Sequence, residues 1–243
     1  MSWHDILIQQ LINGLTIGMV YALIALGYTM VYGIINLINF AHGEIFMVGA
    51  YLAWSLFTVT ISAGEARGIA LLFLILAGFI VGMAGCGVLG VAIERVAYRP
   101  LRNAPRLAPL ITAIGVSFFL QNAVMLLYGA SDKSFPSLFP HYSFYIGQAS
   151  VTGLQILIVA VSIALMLVLH YFIKLSKMGK ALRATSQDLK TASLMGIDVN
   201  RIISLCFLIG SSLAAAGGVM FGMYYNAINF HDGYIAGLKA FTA

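Results

Sequence analysis

The most constraining feature of this chain is a series of apolar stretches, each close to the length that crosses a bilayer. A hydrocarbon core about 30 Å thick needs roughly 20 apolar residues in a helix. Six stretches approach or exceed that length: 11–35, 45–61, 69–93, 108–128, 154–173 and 202–225. Since only 9% of the residues are charged, against about 25% in soluble domains, we expect an all-α, polytopic transmembrane helical bundle forming a single domain over residues 1–243.

A seventh apolar stretch begins near Tyr234 and runs to the last residue without a closing loop. The pattern therefore predicts a bundle that is truncated at its carboxyl end relative to related proteins. Cys86 and Cys206 both fall inside apolar stretches, so we expect them to pack in the bundle. Neither residue fits a disulfide framework or a metal site.

Basic residues are concentrated in two joints between apolar stretches. Ten of the thirteen Lys and Arg residues lie in segments 94–106 and 174–201. Cytoplasmic loops carry such an excess, so both segments should face the cytoplasm, and segments 62–68 and 129–152 should lie outside. Alternation then places the N-terminus outside, and the net charge of +5 indicates topology and gives no reason to expect nucleic acid.

Small residues recur at every fourth position in the third and sixth stretches. This spacing lets membrane helices approach closely, because association within lipid depends on packing and not on hydrophobic exclusion. The pattern predicts close helix contacts and says little about function. The residues are Gly78, Gly82, Cys86 and Gly90 in the third stretch, and Gly210, Ala214, Gly218 and Gly222 in the sixth.

Residues 36–44, "NLINFAHGE", gather polar side chains between the first two apolar stretches. On a continuous helix His42 and Glu44 would point about 200° apart, and a lipid-facing Glu at mid-bilayer costs roughly 3 kcal/mol. We therefore expect an interrupted helix, broken at Gly43, with Asn36, Asn39, His42 and Glu44 facing protein or water. Such broken helices hold substrate in transporters, so these four residues are candidates for a substrate pathway.

A second interpretation is a simple turn that reaches the cytoplasmic surface, where polar residues carry no penalty. The absence of Lys and Arg from residues 36–44 argues against it. Gln121 and Asn122 lie deep in the fourth stretch and are further candidates for the same pathway. Amides can also serve as hydrogen-bond contacts between helices, and this alternative stays open.

The second basic segment contains the signals of a short amphipathic helix. Thr185 followed by Asp188 predicts a capping box, and Gly196 predicts the end of the helix. An apolar stripe of Leu189, Ala192 and Met195 would oppose a polar face with Ser186, Gln187, Asp188 and Lys190. Such a helix can lie on the bilayer or dock into a soluble partner, and the pattern alone does not choose between them.

Four segments, in order along nearly the whole chain, carry a family resemblance. They are "NGLTIGMVYALIALGYTMVYGIINLINFAHGEIFMVGAY" (13–51), "IERVAYRPLR" (93–102), "AIGVSFFLQN" (113–122) and "MGKALRATSQDLKTASLMGID" (178–198). Together they closely resemble the LivH-type permease subunit of branched-chain amino acid ABC importers. The resemblance implies a bacterial inner-membrane permease for leucine, isoleucine and valine. The expected partners are a second permease, two cytoplasmic ATP-binding subunits and a periplasmic amino acid binding protein.

The resemblance also assigns a role to the cytoplasmic helix, which would couple the permease to the ATP-binding subunits. The residues concerned are Arg183, Ser186, Asp188, Leu189, Ala192, Met195 and Gly196. The general Glu-Ala-Ala and Gly pattern of importer loops is only partly present, since only Ala192 and Gly196 agree with it. No GxxxxGK[ST] phosphate loop occurs, so ATP should be hydrolysed on the partner subunits and no cofactor is expected in this chain.

Three other functions compete with ATP-driven amino acid import. An intramembrane enzyme is disfavoured because HExxH and GxSxG are absent and no catalytic or metal-ligating set is evident. A passive channel would need no basic docking segment. A related permease for urea, short amides or another amino acid differs only in pocket chemistry, and this alternative stays open.

Overall fold

The computed structural model describes residues 3–35, 39–63, 69–102, 104–105, 107–138, 143–146 and 149–242. Nine α-helices lie within these ranges: α1 Trp3–Ile35, α2 His42–Ala63, α3 Ile69–Ile93, α4 Leu107–Tyr128, α5 Gly153–Leu175, α6 Lys177–Gln187, α7 Leu189–Leu194, α8 Val199–Tyr225 and α9 Asp232–Thr242. Six of them, α1 to α5 and α8, are long and apolar enough to cross a membrane. The predicted six-span, all-α bundle is confirmed.

Helix α8 is the centre of the bundle. In its most apolar window 72% of the residues are buried within the chain, against 17% for the corresponding windows of α4 and α5. Helices α1, α2 and α3 pack around α8, whereas α4 and α5 expose most of their surface. A helix buried on all sides needs small residues wherever a neighbour crosses it closely.

The two stripes of small residues supply those crossings, as the sequence predicted. A Cβ atom on Gly90 of α3 would overlap the Ser211 hydroxyl of α8, and one on Gly218 of α8 would overlap the Phe46 carbonyl oxygen of α2. The cysteines also pack in the core: Cys86 is buried and its Sγ lies 3.4 Å from the Ile45 carbonyl oxygen.

One end of the bundle carries two short antiparallel ribbons that the sequence analysis did not predict. Strand β1 (Lys133–Ser134) pairs with β4 (Ala227–Ile228), and β2 (Ser143–Ile146) pairs with β3 (Ala149–Thr152). Thr152 and Gln155 then form a capping box that starts α5. Residues 64–68 and 139–142, which belong to the predicted outer loops, lie outside the described residues.

The two basic segments meet at the opposite end. After α3 the chain continues as a π-helix, Glu94–Tyr98, and a 3-10 turn, Arg99–Leu101. Arg102 follows and donates a hydrogen bond of 2.5 Å to Asn200 at the start of α8. The prediction that both basic segments share one side of the bundle is confirmed for these residues, while Arg106 lies outside the described residues.

Helix α9 begins at Asp232, two residues before the start predicted for the seventh apolar stretch. It packs against α2 and α1. This position matters for function, because α9 covers the polar start of α2.

Candidate functional site

Polar side chains collect where α2 begins. Helix α1 ends at Ile35 and α2 begins at His42, so the predicted break at Gly43 was wrong and Gly43 lies in the first turn of α2. The turn is made by Asn39, whose side-chain oxygen accepts a bond of 3.1 Å from the Ala41 amide and whose carbonyl accepts one of 3.0 Å from the His42 amide. Asn side chains favour such turns because they replace a backbone acceptor.

The start of α2 lies deep in the bundle. Glu44 accepts a hydrogen bond of 3.1 Å from the Ser117 hydroxyl, and Ser117 is close to the middle of α4. The exposed fractions of Asn39, His42 and Glu44 are 2%, 1% and 1%. These three side chains are therefore enclosed by protein and do not lie free in bulk water, whereas Asn36 lies outside the described residues.

Each of the three buried side chains keeps one polar atom without a hydrogen-bond partner among the described residues. These atoms are Asn39 Nδ2, His42 Nε2 and Glu44 Oε2. Buried polar groups are nearly always paired, because an unpaired one costs roughly 1–3 kcal/mol. Three unpaired atoms within six residues therefore indicate a place where water or a ligand completes the bonding.

Glycines bring neighbouring helices close to these side chains. A Cβ on Gly27 of α1 would overlap the His42 ring, and one on Gly233 of α9 would overlap Glu44 Oε2. A Cβ on Gly237, one turn later in α9, would lie 3.0 Å from the Gly43 Cα. The polar start of α2 is thus enclosed by backbone, so it can open only if a neighbouring helix moves.

A cavity of about 70 Å³ lies beside Ser117, between α4 and α9. Its polar lining includes Ser117 and Gln121, and its apolar lining includes Phe118 and the ring of Tyr28. The other lining residues are Phe40, Ile114, Gly233, Tyr234, Gly237, Leu238 and Phe241. The combination of a few polar groups with apolar walls is typical of small-molecule sites.

The structure separates the two candidates on α4. Gln121 lines the cavity, and its Nε2 lies 2.7 Å from Nδ1 of His231. Asn122 is exposed on the outside of the bundle and donates a bond of 2.8 Å to the Phe118 carbonyl. Asn39, His42, Glu44 and Gln121 therefore share one region, and Asn122 does not belong to it.

Sequence reasoning missed Ser117 and the glycines of α9. Ser117 stands four residues before Gln121, which places the two on one helix face, so the spacing contained a usable signal. Gly233 and Gly237 also repeat at four residues, but no local pattern indicates that they face Gly43.

The second basic segment forms two helices where one was predicted. Thr185 lies inside α6 and its hydroxyl bonds the Ala181 carbonyl at 2.8 Å, so the predicted capping box was wrong. Asp188 is the N-cap of α7, since it accepts bonds of 2.8 Å from the Lys190 amide and 2.5 Å from the Thr191 hydroxyl. These bonds, with the Thr191 hydroxyl the largest contributor, hold the pKa of Asp188 below its usual value.

Gly196 follows the end of α7, where a helix stop is predicted, and its φ of +83° favours glycine. The predicted apolar stripe is divided: Ala192 is buried, whereas Met195 is 78% exposed and the neighbouring Leu194 is 86% exposed. Leu189, Arg183 and Ser186 are exposed too. The described part of this segment therefore presents apolar and basic surface outside the membrane spans.

Among the described residues, no three His, Cys, Asp or Glu side chains are grouped closely enough to hold a metal ion. The chemistry of the buried region thus depends on one carboxylate, one imidazole, amides and hydroxyls. Such groups can bind a solute through hydrogen bonds and charge.

Comparison with known proteins gives a consistent result. The profile of the family described as "Branched-chain amino acid transport system / permease component" matches residues 10–243. The high-affinity branched-chain amino acid transport system permease protein BraD of Pseudomonas aeruginosa is 49% identical over 241 residues, covering 97% of this chain and 77% of BraD. The corresponding LivH of Escherichia coli K12 is 48% identical with the same coverage.

A more distant relative is the probable branched-chain amino acid transport permease protein LivH of Methanocaldococcus jannaschii. It is 29% identical over 202 residues, which cover 82% of this chain and 61% of that protein. No solved structure matches the chain.

Proposed function

This chain belongs to the family of permease components of branched-chain amino acid transport systems, and from that premise we propose that it forms the membrane pathway of an ATP-driven importer of leucine, isoleucine and valine. The family membership supports a transport role and not an enzymatic one. The observation that carries the proposal is the buried carboxylate of Glu44, which has an unpaired oxygen beside a cavity with apolar walls.

The cavity lining and the neighbouring polar start of α2 together offer groups that fit the parts of a branched-chain amino acid. Glu44 Oε2 would receive the substrate ammonium, and Asn39 Nδ2 is an unpaired donor suited to its carboxylate. Phe118 and the ring of Tyr28 would contact the branched side chain. Asn36, outside the described residues, and His42 would complete the polar side of the pathway.

The cavity in this structure is closed to substrate. Its volume of about 70 Å³ is well below the roughly 300 Å³ at which ligand pockets begin. Import then requires α9 or α4 to move away from Glu44, alternately toward each side of the membrane. Alternating access around a site near the bilayer midplane is the general behaviour of transporters with interrupted helices.

The energy would come from two ATP-binding subunits that dock on α6 and α7. The exposed Leu194 and Met195 offer apolar anchors, and Arg183 with the neighbouring lysines offers positive charge. With the basic segments on the cytoplasmic side, the N-terminus lies outside the inner membrane. A second permease subunit and a periplasmic binding protein would complete the importer.

The test is uptake into proteoliposomes that contain the permease pair and the ATP-binding subunits, supplied with the binding protein. Leucine uptake should require ATP, and Glu44→Gln should reduce it about tenfold or more, because a charge-assisted hydrogen bond contributes roughly 1.5–3 kcal/mol and 1.4 kcal/mol is a factor of about ten. Asp132→Asn is the matched control, since its exposed carboxylate bonds Asn229 at the ribbon end of the bundle.

Three outcomes would contradict the proposal. Full uptake by Glu44→Gln would remove the role of the carboxylate. Uptake in the absence of ATP would indicate a passive channel. Uptake of urea or short amides in place of leucine would identify the chain as a related permease with a different substrate.

A further inference from the structure

A hydrogen-bond network centred on the buried Glu94 joins the segment after α3 to the first turns of α8. The carboxylate of Glu94, fully buried, accepts bonds from Arg102 and from the Ser204 hydroxyl, the latter at 2.6 Å. Arg102 also donates to Asn200 at 2.5 Å. Asn200 and Ser204 stand one turn apart on α8, so two elements from distant parts of the sequence are fixed together at this end of the bundle.

The same segment reaches the polar start of α2. Tyr98, 2% exposed, donates a hydrogen bond of 2.7 Å from its hydroxyl to Asn39 Oδ1. Its ring packs on Phe207 of α8 with 5.4 Å between centroids. The Asn39 oxygen that Tyr98 contacts is also the atom that accepts the Ala41 amide and makes the turn before α2.

Between these two contacts lies the π-helix Glu94–Tyr98. The Arg99 amide bonds the Glu94 carbonyl, which is the five-residue spacing of a π-turn. Such turns are rare, occur mostly as single turns within α-helices and are frequent at functional sites. Here the π-turn places Glu94 toward α8 and Tyr98 toward Asn39, with the two side chains only four residues apart.

We propose that the π-helix Glu94–Tyr98 transmits displacement of the α7 region to the polar start of α2, with Glu94 and Tyr98 acting as positioning residues. This inference rests on the proposed function, because it concerns how the docking segment reaches Glu44. The route runs from the start of α8, which follows α7 after a short turn, through Arg102 and Glu94 to Tyr98. It ends at Asn39, five residues before Glu44.

A competing route passes along α8 itself. A Cβ placed on Gly210 of α8 would lie 3.5 Å from the His42 ring and 3.2 Å from the Gly27 carbonyl, so α8 could move His42 without the π-helix. The Tyr98 hydroxyl oxygen belongs to the π-helix route and not to the α8 route. Tyr98→Phe deletes the bond to Asn39 and keeps the ring on Phe207, which leaves α8 and its packing in place.

The first measurement is leucine uptake per ATP hydrolysed in the reconstituted full importer. Tyr98→Phe should lower this ratio about two- to tenfold, the range that corresponds to one buried hydrogen bond, while ATP hydrolysis stimulated by the binding protein is retained. Tyr128→Phe is the matched control, because it removes a tyrosine hydroxyl bond of 2.9 Å to Ser55 at the ribbon end. An unchanged ratio in Tyr98→Phe would overturn the proposal.

The second measurement does not depend on the substrate. Ile114→Cys places a thiol on the cavity wall, and the native Cys86 and Cys206 are 0% and 1% exposed, so labelling of this chain reports mainly on position 114. ATP should change the labelling rate of Ile114→Cys in the otherwise native importer, and adding Tyr98→Phe should abolish that change. A persistent ATP-dependent change would assign transmission to α8 alone and overturn the proposal.

Ser204→Ala, which removes a donor to Glu94, tests the other end of the route. If both contacts belong to one route, the double variant Ser204→Ala with Tyr98→Phe should lower the ratio of leucine uptake to ATP hydrolysed by no more than the more impaired single variant does. A loss equal to the product of the two single losses would overturn the proposal. Should Tyr98→Phe fail to co-purify with its partners, Ser204→Ala carries both measurements. Failure of the native importer to take up leucine would contradict the proposed function, and the labelling result would still decide the route.

Discussion

The crossing of α2 and α8 at Gly218 gives a quantitative test of the packing. A Cβ atom built on Gly218 would overlap the Phe46 carbonyl oxygen and would lie 3.0 Å from the Phe46 carbonyl carbon and 3.2 Å from the Ala50 amide nitrogen. All three atoms belong to the backbone of α2, so no side-chain rotation relieves the overlap. Gly218→Ala therefore forces the two helices apart.

The magnitude follows from two opposing terms. Overpacking of a close-packed interior costs roughly 1–3 kcal/mol, whereas replacing a mid-helix glycine by alanine favours the helix by about 0.5–1 kcal/mol. Because the overlap is with backbone atoms that cannot rotate away, the overpacking cost should lie in the upper part of its range, and the net destabilisation is then about 1–2 kcal/mol. For a chain of this size that corresponds to a midpoint of thermal unfolding lowered by roughly 2–8 °C.

The assay is thermal unfolding of the purified protein in detergent, followed by the loss of the monodisperse species. Gly115→Ala on α4 is the matched control, because nothing lies within 4 Å of a Cβ at that position; it should leave the midpoint unchanged or raise it slightly. If Gly218→Ala unfolds at or above the temperature of the native protein, the close crossing of α2 and α8 is refuted.

Two further predictions concern the end of the bundle that carries the basic segments. Arg102→Ala should destabilise the protein by about 3–5 kcal/mol in the same assay, because the buried Glu94 carboxylate keeps the Ser204 hydroxyl but loses its cationic partner. Arg102→Lys should restore only part of the loss, since lysine lacks the fork that reaches Asn200 as well; native stability in Arg102→Ala would contradict this. Asp188→Ala should speed amide exchange in α7 at neutral pH. The pKa of Asp188 in the folded protein lies below its usual 3.8, so the cap is complete above pH 3.8 and weakens as the pH falls through the folded-state pKa. The difference in amide exchange between Asp188→Ala and the native protein should therefore persist until the pH falls below 3.8 and vanish in stronger acid.

Much of the architecture was predictable from local composition. The six spans, the small-residue crossings and the meeting of the two basic segments all follow from rules that act residue by residue: apolar length, the need to pair backbone groups in lipid, and close approach at glycine. The burial of Asn39, His42 and Glu44 was predictable too, because a carboxylate between two spans is too costly in lipid to be left unprotected.

The errors have a common physical origin. The presence of glycine predicts a helix break at Gly43, but Asn39 makes the turn with its own side chain, and Gly43 is instead the point where α9 crosses. The spacing of Thr185 predicts a cap, yet Thr185 is enclosed within α6 and Asp188 caps α7. In both cases two residues could fill one local role, and packing decided between them.

The sequence by itself determined how many times this chain can cross a bilayer and which polar residues must be sheltered, since transfer into lipid is a property of each segment alone. Only the tertiary structure decided which groups meet: Ser117 with Glu44, Tyr98 with Asn39, and Glu94 with Arg102 and Ser204. Except for the local pair of Glu94 with Arg102, these pairs join residues that are separated by 59 to 110 positions in the sequence. Such partners are selected by the way the helices pack around α8 and not by any local pattern.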